Sequence, residues 1–357
     1  MSDFILKFQS ELGQSVSIRP TSFAPLSFSQ LLQAKHFAGA GIDVKFRGID
    51  AVIDGVPQDE ITVTTAKMVF PNSPEPYALV VGGWLPLPFV IPKNFLVDRN
   101  VVAKLRRIRA RGPRRDDVNF QWWRQFIDGT AVTFNPLLYA YEGGSRCLPT
   151  MDEFVAAYRE GAQELRSAFP AAQIIDFERE HFESAYSQLV MLRSRGERDA
   201  EFLCHAVPFI NQRVPRGQER RILDALMKIA GDGAVFQNSL VGLAVLSVLY
   251  EDVHGKRPSI GRRLLKPKAK FTVEDAYNAL SDLRHIEIAA LSHAVIPDQK
   301  FALCTNDVGV AMFWCALSVR GQQEEGALLN IHYSLNENLV PRLHYEEIGE
   351  LLDILGR

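Results

Sequence analysis

The 357-residue chain is 47% hydrophobic and 23% charged, with a formal net charge of −2. That is enough apolar material for one large or two modest cores, and two domains are expected. The near-neutral balance excludes a general polyanion-coating protein, so any affinity for nucleic acid has to reside in local basic patches.

The N-terminus, Met-Ser-Asp-Phe-Ile-Leu-Lys-Phe-Gln, lacks the basic start and long apolar core of a signal peptide. No stretch reaches the roughly 18 uninterrupted apolar residues of a membrane span. Cys147, Cys204, Cys304 and Cys315 are widely spaced and form no C-x-x-C pair. Such spacing suits reduced core thiols better than a disulfide frame or a zinc site. A cytoplasmic location without a membrane partner is expected.

Residues 1–90 carry short β-branched or alternating runs, Val16-Ser-Ile-Arg, Ile42-Asp-Val-Lys-Phe and Ile61-Thr-Val-Thr-Thr, punctuated by Gly and Pro. This pattern predicts a small β-rich module with one helix near Phe28 to Lys35, to which no chemistry can be assigned. Tyr77 to Gly82 reads as a further strand. The stiff Pro86-Leu-Pro-Phe-Val-Ile-Pro92 connector sets an expected domain boundary near residue 90.

Phe95-Leu-Val-Asp98 is then an apolar strand ending in an acid. It passes directly into a helix with Val101, Val102, Leu105 and Ile108 at helical spacing. Phe120 to Ile127 reads as an amphipathic helix rich in aromatics, and Asn135 to Glu142 puts a glutamate at the end of a largely apolar segment. Thr150 and Glu153 form a capping pair, after which helices dominate to about residue 255. Val235 to Tyr250, apolar almost all round, predicts a central buried helix. Thr272-Val-Glu-Asp starts the helix or helix pair leading to Asp282, which is expected in the first turns of a buried helix. Phe301 to Thr305 is a strand presenting Asp307, followed by a helix over Val308 to Leu317, a last strand over Gly326 to Ser334 and a helix over Tyr345 to Leu355. The alternation predicts an α/β chain with a parallel sheet and helices on both faces.

In such sheets ligands collect beyond the carboxyl ends of the strands, near a switch in strand order. Asp98 and Asp307 belong at that edge, and Glu142 and Asp282 are expected to face the same crevice. Clustered carboxylates need a compensating cation, and oxygen ligands favour Mg²⁺ or Mn²⁺, which points to phosphate chemistry.

The pattern resembles the PIN-domain nucleases. Leu96-Val-Asp98 is similar to their first strand and acid, and Tyr141-Glu142-Gly143 to the glutamate after the next helical unit. Asp282-Leu-Arg-His-Ile is similar to the helix-borne acid, and Thr305-Asn-Asp307 to the strand-end acid with its preceding threonine. The resemblance covers residues of about 95–150 and 235–335. It implies a PIN-like parallel sheet flanked by helices over residues 91–357, with a helical insertion at about 155–235 and the β-rich module outside it. It further implies metal-dependent hydrolysis of RNA, in a toxin or defence-type endoribonuclease. Asp98, Glu142, Asp282 and Asp307 would hold Mg²⁺ or Mn²⁺, with Thr305 and Asn306 orienting them. Glu153 and Glu251 stand as substitutes for Glu142. An inhibitory protein partner and a homodimer are further expectations of the resemblance.

Arg106, Arg107, Arg109, Arg111, Arg114 and Arg115, followed by Trp122, Trp123 and Arg124, combine charge and aromatics as single-stranded nucleic acid requires. The bland alternative is a solvated helix face with core tryptophans. A second basic stretch runs from Lys256 to Lys270. Arg284 and His285, beside Asp282, are candidates for contact with phosphate or base, although a structural histidine is the commoner case. RNA is favoured over DNA through the resemblance. A structure-selective DNA nuclease and a non-catalytic nucleic-acid or protein-binding module remain as alternatives. No G-x-S-x-G elbow, phosphate-binding glycine loop or zinc-spaced histidine pair competes with the acids.

Overall fold

The computed structural model describes residues 5–354 except 11, 37–40, 59–61, 70–74, 92–93, 115–116, 118–126, 128–130, 143–146, 192, 232–234, 237–238, 253, 255–258, 296–300 and 326–327. The first elements are β1 (Leu6–Gln9), β2 (Ser15–Phe23), α1 (Phe28–His36), β3 (Gly41–Ile53), β4 (Val56–Gln58), β5 (Thr62–Val69), β6 (Tyr77–Val80) and β7 (Gly83–Pro86). There follow β8 (Asn94–Val97), α2 (Arg99–Arg111), β9 (Thr133–Asn135), α3 (Leu137–Glu142), α4 (Met151–Ala168), β10 (Gln173–Ile174), α5 (Arg179–Met191), α6 (Arg193–Ala206) and α7 (Glu219–Ala230). The chain ends with α8 (Leu240–Leu249), α9 (Ile260–Leu265), α10 (Val273–Val295), β11 (Ala302–Thr305), α11 (Val308–Ala316), β12 (Ser318–Glu325), β13 (Leu328–Ser334) and α12 (Tyr345–Ile354). No helix among the described residues is long and apolar enough to cross a membrane.

Two compact units divide the chain. Unit 1 comprises Met1–Tyr139, Tyr158–Asp176 and Asp298–Asn306, and unit 2 comprises Ala140–Ala157, Phe177–Pro297 and Asp307–Arg357. The expected boundary near residue 90 falls inside unit 1.

Unit 1 begins with an antiparallel sheet in the order β1-β2-β3-β4, with β5 also paired to β3. Along β3, Ile42, Val44 and Phe46 are buried while Asp43, Lys45 and Arg47 are exposed, the period-two alternation of a strand with one covered face. Phe23 stacks on Phe89 at 4.5 Å, and Leu26 forms an isolated bridge with Trp84. These contacts carry the front of the chain onto the second sheet of the same unit. Gly83 is required at that junction: its φ is +155°, and a Cβ there would lie 2.1 Å from the Leu26 carbonyl oxygen.

The second sheet runs β10-β9-β8-β11-β6-β7. Its first four strands are parallel, whereas β6 pairs antiparallel with both β11 and β7. Phe95, Leu96 and Val97 of β8 and Ala302, Leu303 and Cys304 of β11 are all buried, as continuous apolar runs in a doubly covered parallel sheet should be. From β8 the chain moves outward through β9 to β10, then returns to place β11 on the other side of β8. The gap between β8 and β11 is therefore the topological switch point. Phe134 of β9 packs against Phe95 and Phe169 at 5.8 and 5.5 Å. Because β10 joins this sheet, part of the segment expected as a helical insertion belongs to the sheet architecture.

Unit 2 is mainly helical. Every residue of α8 is buried, in agreement with its all-round apolar sequence. Thr272 and Asp275 cap α10 reciprocally, with Thr272 N–H donating to Asp275 Oδ2 at 2.9 Å and Asp275 N–H to Thr272 Oγ1 at 3.3 Å. This start places Asp282 near the middle of the helix, not in its first turns. The last strand, β13, is also not a further parallel strand: it forms an antiparallel two-stranded sheet with β12. The predicted helix at Phe120 to Ile127 lies almost entirely outside the described residues.

Candidate functional site

Asp98 leaves β8 at the switch point of unit 1 and is the N-cap residue of α2, with extended backbone at φ −73° and ψ 154°. Its side chain makes no capping hydrogen bond. Oδ2 instead accepts from Thr305 Oγ1 and from Asn100 Nδ2, both at 2.6 Å. The Asp98 N–H donates to Cys304 O at 3.0 Å, fixing the acid to the neighbouring strand, and the residue is only 2% exposed. Asn100 Oδ1 accepts from the Asn306 N–H at 2.8 Å, so one asparagine side chain links the acid after β8 with the turn after β11. Among the described residues, the buried Asn306 Oδ1 has no hydrogen-bond partner. Burial, reinforced by the Asp98 charge, pushes the Cys304 thiol well above its usual range, so this cysteine is inert. Unit 1 thus brings Asp98, Thr305 and Asn306 together as expected. Asn100 was missed, although an asparagine two residues after a strand-end acid is a legible signal.

In unit 2, Glu142 ends α3, and its backbone carbonyl accepts from Tyr277 Oη at 2.9 Å. A carboxylate oxygen of Glu142 and a ring nitrogen of His285 lie within 4.8 Å of one another. His285 is 1% exposed and follows half-buried Asp282 by one helical turn of α10. Among the described residues of unit 2, neither Asp282 nor Asp307 joins Glu142 and His285 in a cluster of that size. Asp307 is the N-cap of α11: Oδ1 accepts from the N–H groups of Gly309 and Val310 at 2.6 and 3.2 Å. Its Oδ2 lies 3.9 Å from Lys266 Nζ. The two substitutes for Glu142 have other duties. Glu153 completes the cap with Thr150, and fully buried Glu251 is clamped by Arg262 Nε and Nη2 at 2.5–3.1 Å.

The arginines expected to receive substrate are engaged within unit 1. Arg106 pairs with Glu160 and donates to Tyr139 Oη at 3.0 Å, Arg107 bridges both oxygens of Asp117 at 2.7 and 2.9 Å, and Arg109 meets Glu164 at 2.7 Å. Burial opposes ionisation of Asp117, yet the bonds from Arg107 and the Arg114 N–H hold its carboxyl below the usual range. Trp122, Trp123 and Arg124 lie outside the described residues. In the second basic stretch, Lys268 meets Asp275 at 2.8 Å and Arg262 is committed to Glu251. Arg284 differs from all of these: among the described residues it makes no hydrogen bond or ion pair, and its Cζ lies over the Tyr277 ring at 5.9 Å from the centroid.

No family model, no curated protein and no solved structure matches the chain.

Proposed function

We propose that the chain is a divalent-metal-dependent ribonuclease of PIN-like architecture, in which Asp98 of unit 1 is a metal-bearing carboxylate and, within unit 2, Glu142 and His285 are metal donors. The observation that carries this reading is the buried Asp98 carboxylate at the switch point, held by Thr305 and Asn100. Two donors on one oxygen fix a carboxylate in a single orientation, as a ligand to a hard cation requires. The donor chemistry fits: carboxylate oxygens, with the buried Asn306 Oδ1 as an acceptor able to order a metal-bound water. His285 beside Glu142 favours Mn²⁺ over Mg²⁺, because imidazole is a softer donor than carboxylate.

When bound, such an ion lowers the pKa of a coordinated water and stabilises charge on a phosphoryl oxygen. Thr305 and Asn100 keep Asp98 in its orientation, and Asn100 also anchors the turn at Asn306. Asp282 and Asp307 take no part in this donor set; Asp307 caps α11 through its Oδ1, which accepts two N–H groups.

Matched single-stranded RNA and DNA, incubated with Mn²⁺, with Mg²⁺ or with a chelator, test the reading. RNA cut only with metal, and not by Asp98→Asn, supports it. Cleavage of DNA alone favours the structure-selective DNA nuclease, and binding of either strand without cleavage in any metal favours a binding module.

A further inference from the structure

Unit 2 contains a cavity of about 600 Å³ against α6 and α10, with Gly196, Ala200, Cys204, Tyr277, Leu280 and Arg284 among its lining residues. The volume falls in the range of small-molecule sites. Apolar side chains and the Tyr277 ring supply most of the surroundings, so the guanidinium of Arg284 is the feature that needs explaining.

Burial pulls the Arg284 pKa down, against the opposing influence of Tyr277, Glu287 and Asp199, yet a guanidinium stays charged. Of the nearby acids, Glu287 Oε1 accepts from Arg195 Nη1 at 2.8 Å and Asp199 Oδ2 lies 3.7 Å from Arg195 Nε, while burial raises the Asp199 pKa and so weakens it as a counter-charge for Arg284. Arg284 has no ion pair within 4.0 Å among the described residues. None of its nitrogens is among the fully buried polar atoms that lack a partner, so the guanidinium opens to the cavity, where the oxygens of an anionic ligand can displace water from it. Gly196 makes room for it: a Cβ at that position would lie 2.2 Å from Arg284 Nη2. The glycine and the arginine thus form a shaped cationic seat on the wall of an apolar cavity.

We propose that this cavity binds a small organic carboxylate with an apolar body, the carboxylate seated on Arg284 and the body against Ala200, Tyr277 and Leu280. A guanidinium fork matches a carboxylate with two parallel hydrogen bonds. Exposed Glu197 and Glu201 also line the cavity, and their charge selects against a dianion such as a phosphate monoester. The inference lies wholly within unit 2 and does not depend on the nuclease reading.

Calorimetric titration of the whole chain in chelator, with octanoate, 1-octanol and inorganic phosphate as separate probes, tests the site independently of any metal. Octanoate is expected to bind, octanol at least about tenfold more weakly, and phosphate not at all. Arg284→Met removes the charge, and Gly196→Ala displaces the guanidinium without removing it. Each should weaken octanoate about 10- to 100-fold while leaving octanol unchanged. Ala200→Trp, which fills the cavity without altering Arg284 itself, should abolish both and keeps the test decisive if Arg284→Met fails to fold. Absence of octanoate binding overturns the proposal. So do equal affinities for octanoate and octanol, binding of phosphate in place of octanoate, or octanoate affinity that survives Gly196→Ala and Ala200→Trp.

Discussion

Thr305→Val probes the arrangement around Asp98 with the least steric change. Valine keeps the branched shape of threonine and its preference for a strand, while removing the O–H that donates to Asp98 Oδ2 at 2.6 Å. Both residues are buried, Thr305 at 0% and Asp98 at 2% exposure, so water cannot readily replace the lost donor. A hydrogen bond to an ionised group contributes about 1.5–3 kcal/mol. Asn100 Nδ2 remains at 2.6 Å on the same oxygen, which places the expected loss near the lower end, at about 1.5–2 kcal/mol. Urea unfolding monitored by circular dichroism should show the midpoint falling with an unchanged slope. Thr305→Ser, which keeps the hydroxyl, should recover most of the difference. A Thr305→Val chain as stable as the parent, or a serine variant as weak as the valine one, would refute the assignment of Thr305 as the positioning donor.

Glu251→Gln should destabilise by about 1.5–3 kcal/mol, because half-buried Arg262 loses the charge of the fully buried carboxylate it is paired with. The double variant Glu251→Gln, Arg262→Met should be less damaged than the single one in the same urea assay. Asp275 is held down to about 2 by its hydrogen bond from Lys268 and by Thr272. Its folded pKa lies below the unfolded value, so its contribution is present above about pH 4 and is lost as pH falls toward 2. Asp275→Asn should therefore cost about 1 kcal/mol at neutral pH, discounted for partial exposure, and nothing measurable near pH 2. Burial lowers the His293 pKa to about 4, so folding favours its neutral form. A nuclear magnetic resonance titration should find the ring uncharged at pH 5, and its share of stability should fade as pH drops from about 6.5 through 4. A ring titrating near 6.5 would contradict that environment.

The strands that build the switch point were legible because a parallel strand covered on both faces must be apolar throughout. Phe95-Leu-Val and Ala302-Leu-Cys are such runs, each ended by a polar residue where the chain leaves the sheet. The Thr150 and Thr272 caps were legible for a similar reason, since a reciprocal cap needs only residues three apart. What failed to show depends on partners distant in sequence. The antiparallel pairing of β6 with β11 binds residues before 90 into the same sheet as β8, and nothing local in Tyr77 to Val80 announces it. The arginines of α2 read as a free basic face because Asp117, Glu160 and Glu164, which neutralise them, come from other segments. Asp282 was placed too early in its helix because the apolar pattern runs on from Ala276 through Leu283 without a break, while the cap that fixes the start lies at Thr272. The partner of the final strand was not legible, because a strand's sequence does not name its neighbour, and here that neighbour is β12, paired antiparallel.

In the proposed reading Asp98 and Glu142 are each metal-bearing carboxylates, and Mn²⁺ binding followed by electron paramagnetic resonance tests this without presupposing a substrate. The free Mn²⁺ signal should fall on titration with the parent chain. Asp98→Asn and Glu142→Gln should each weaken binding by more than about tenfold, and Thr305→Val by a smaller factor in the same direction. Retention of the full free-ion signal by the parent chain, or equal binding by the parent and the Asp98→Asn and Glu142→Gln variants, would contradict the account.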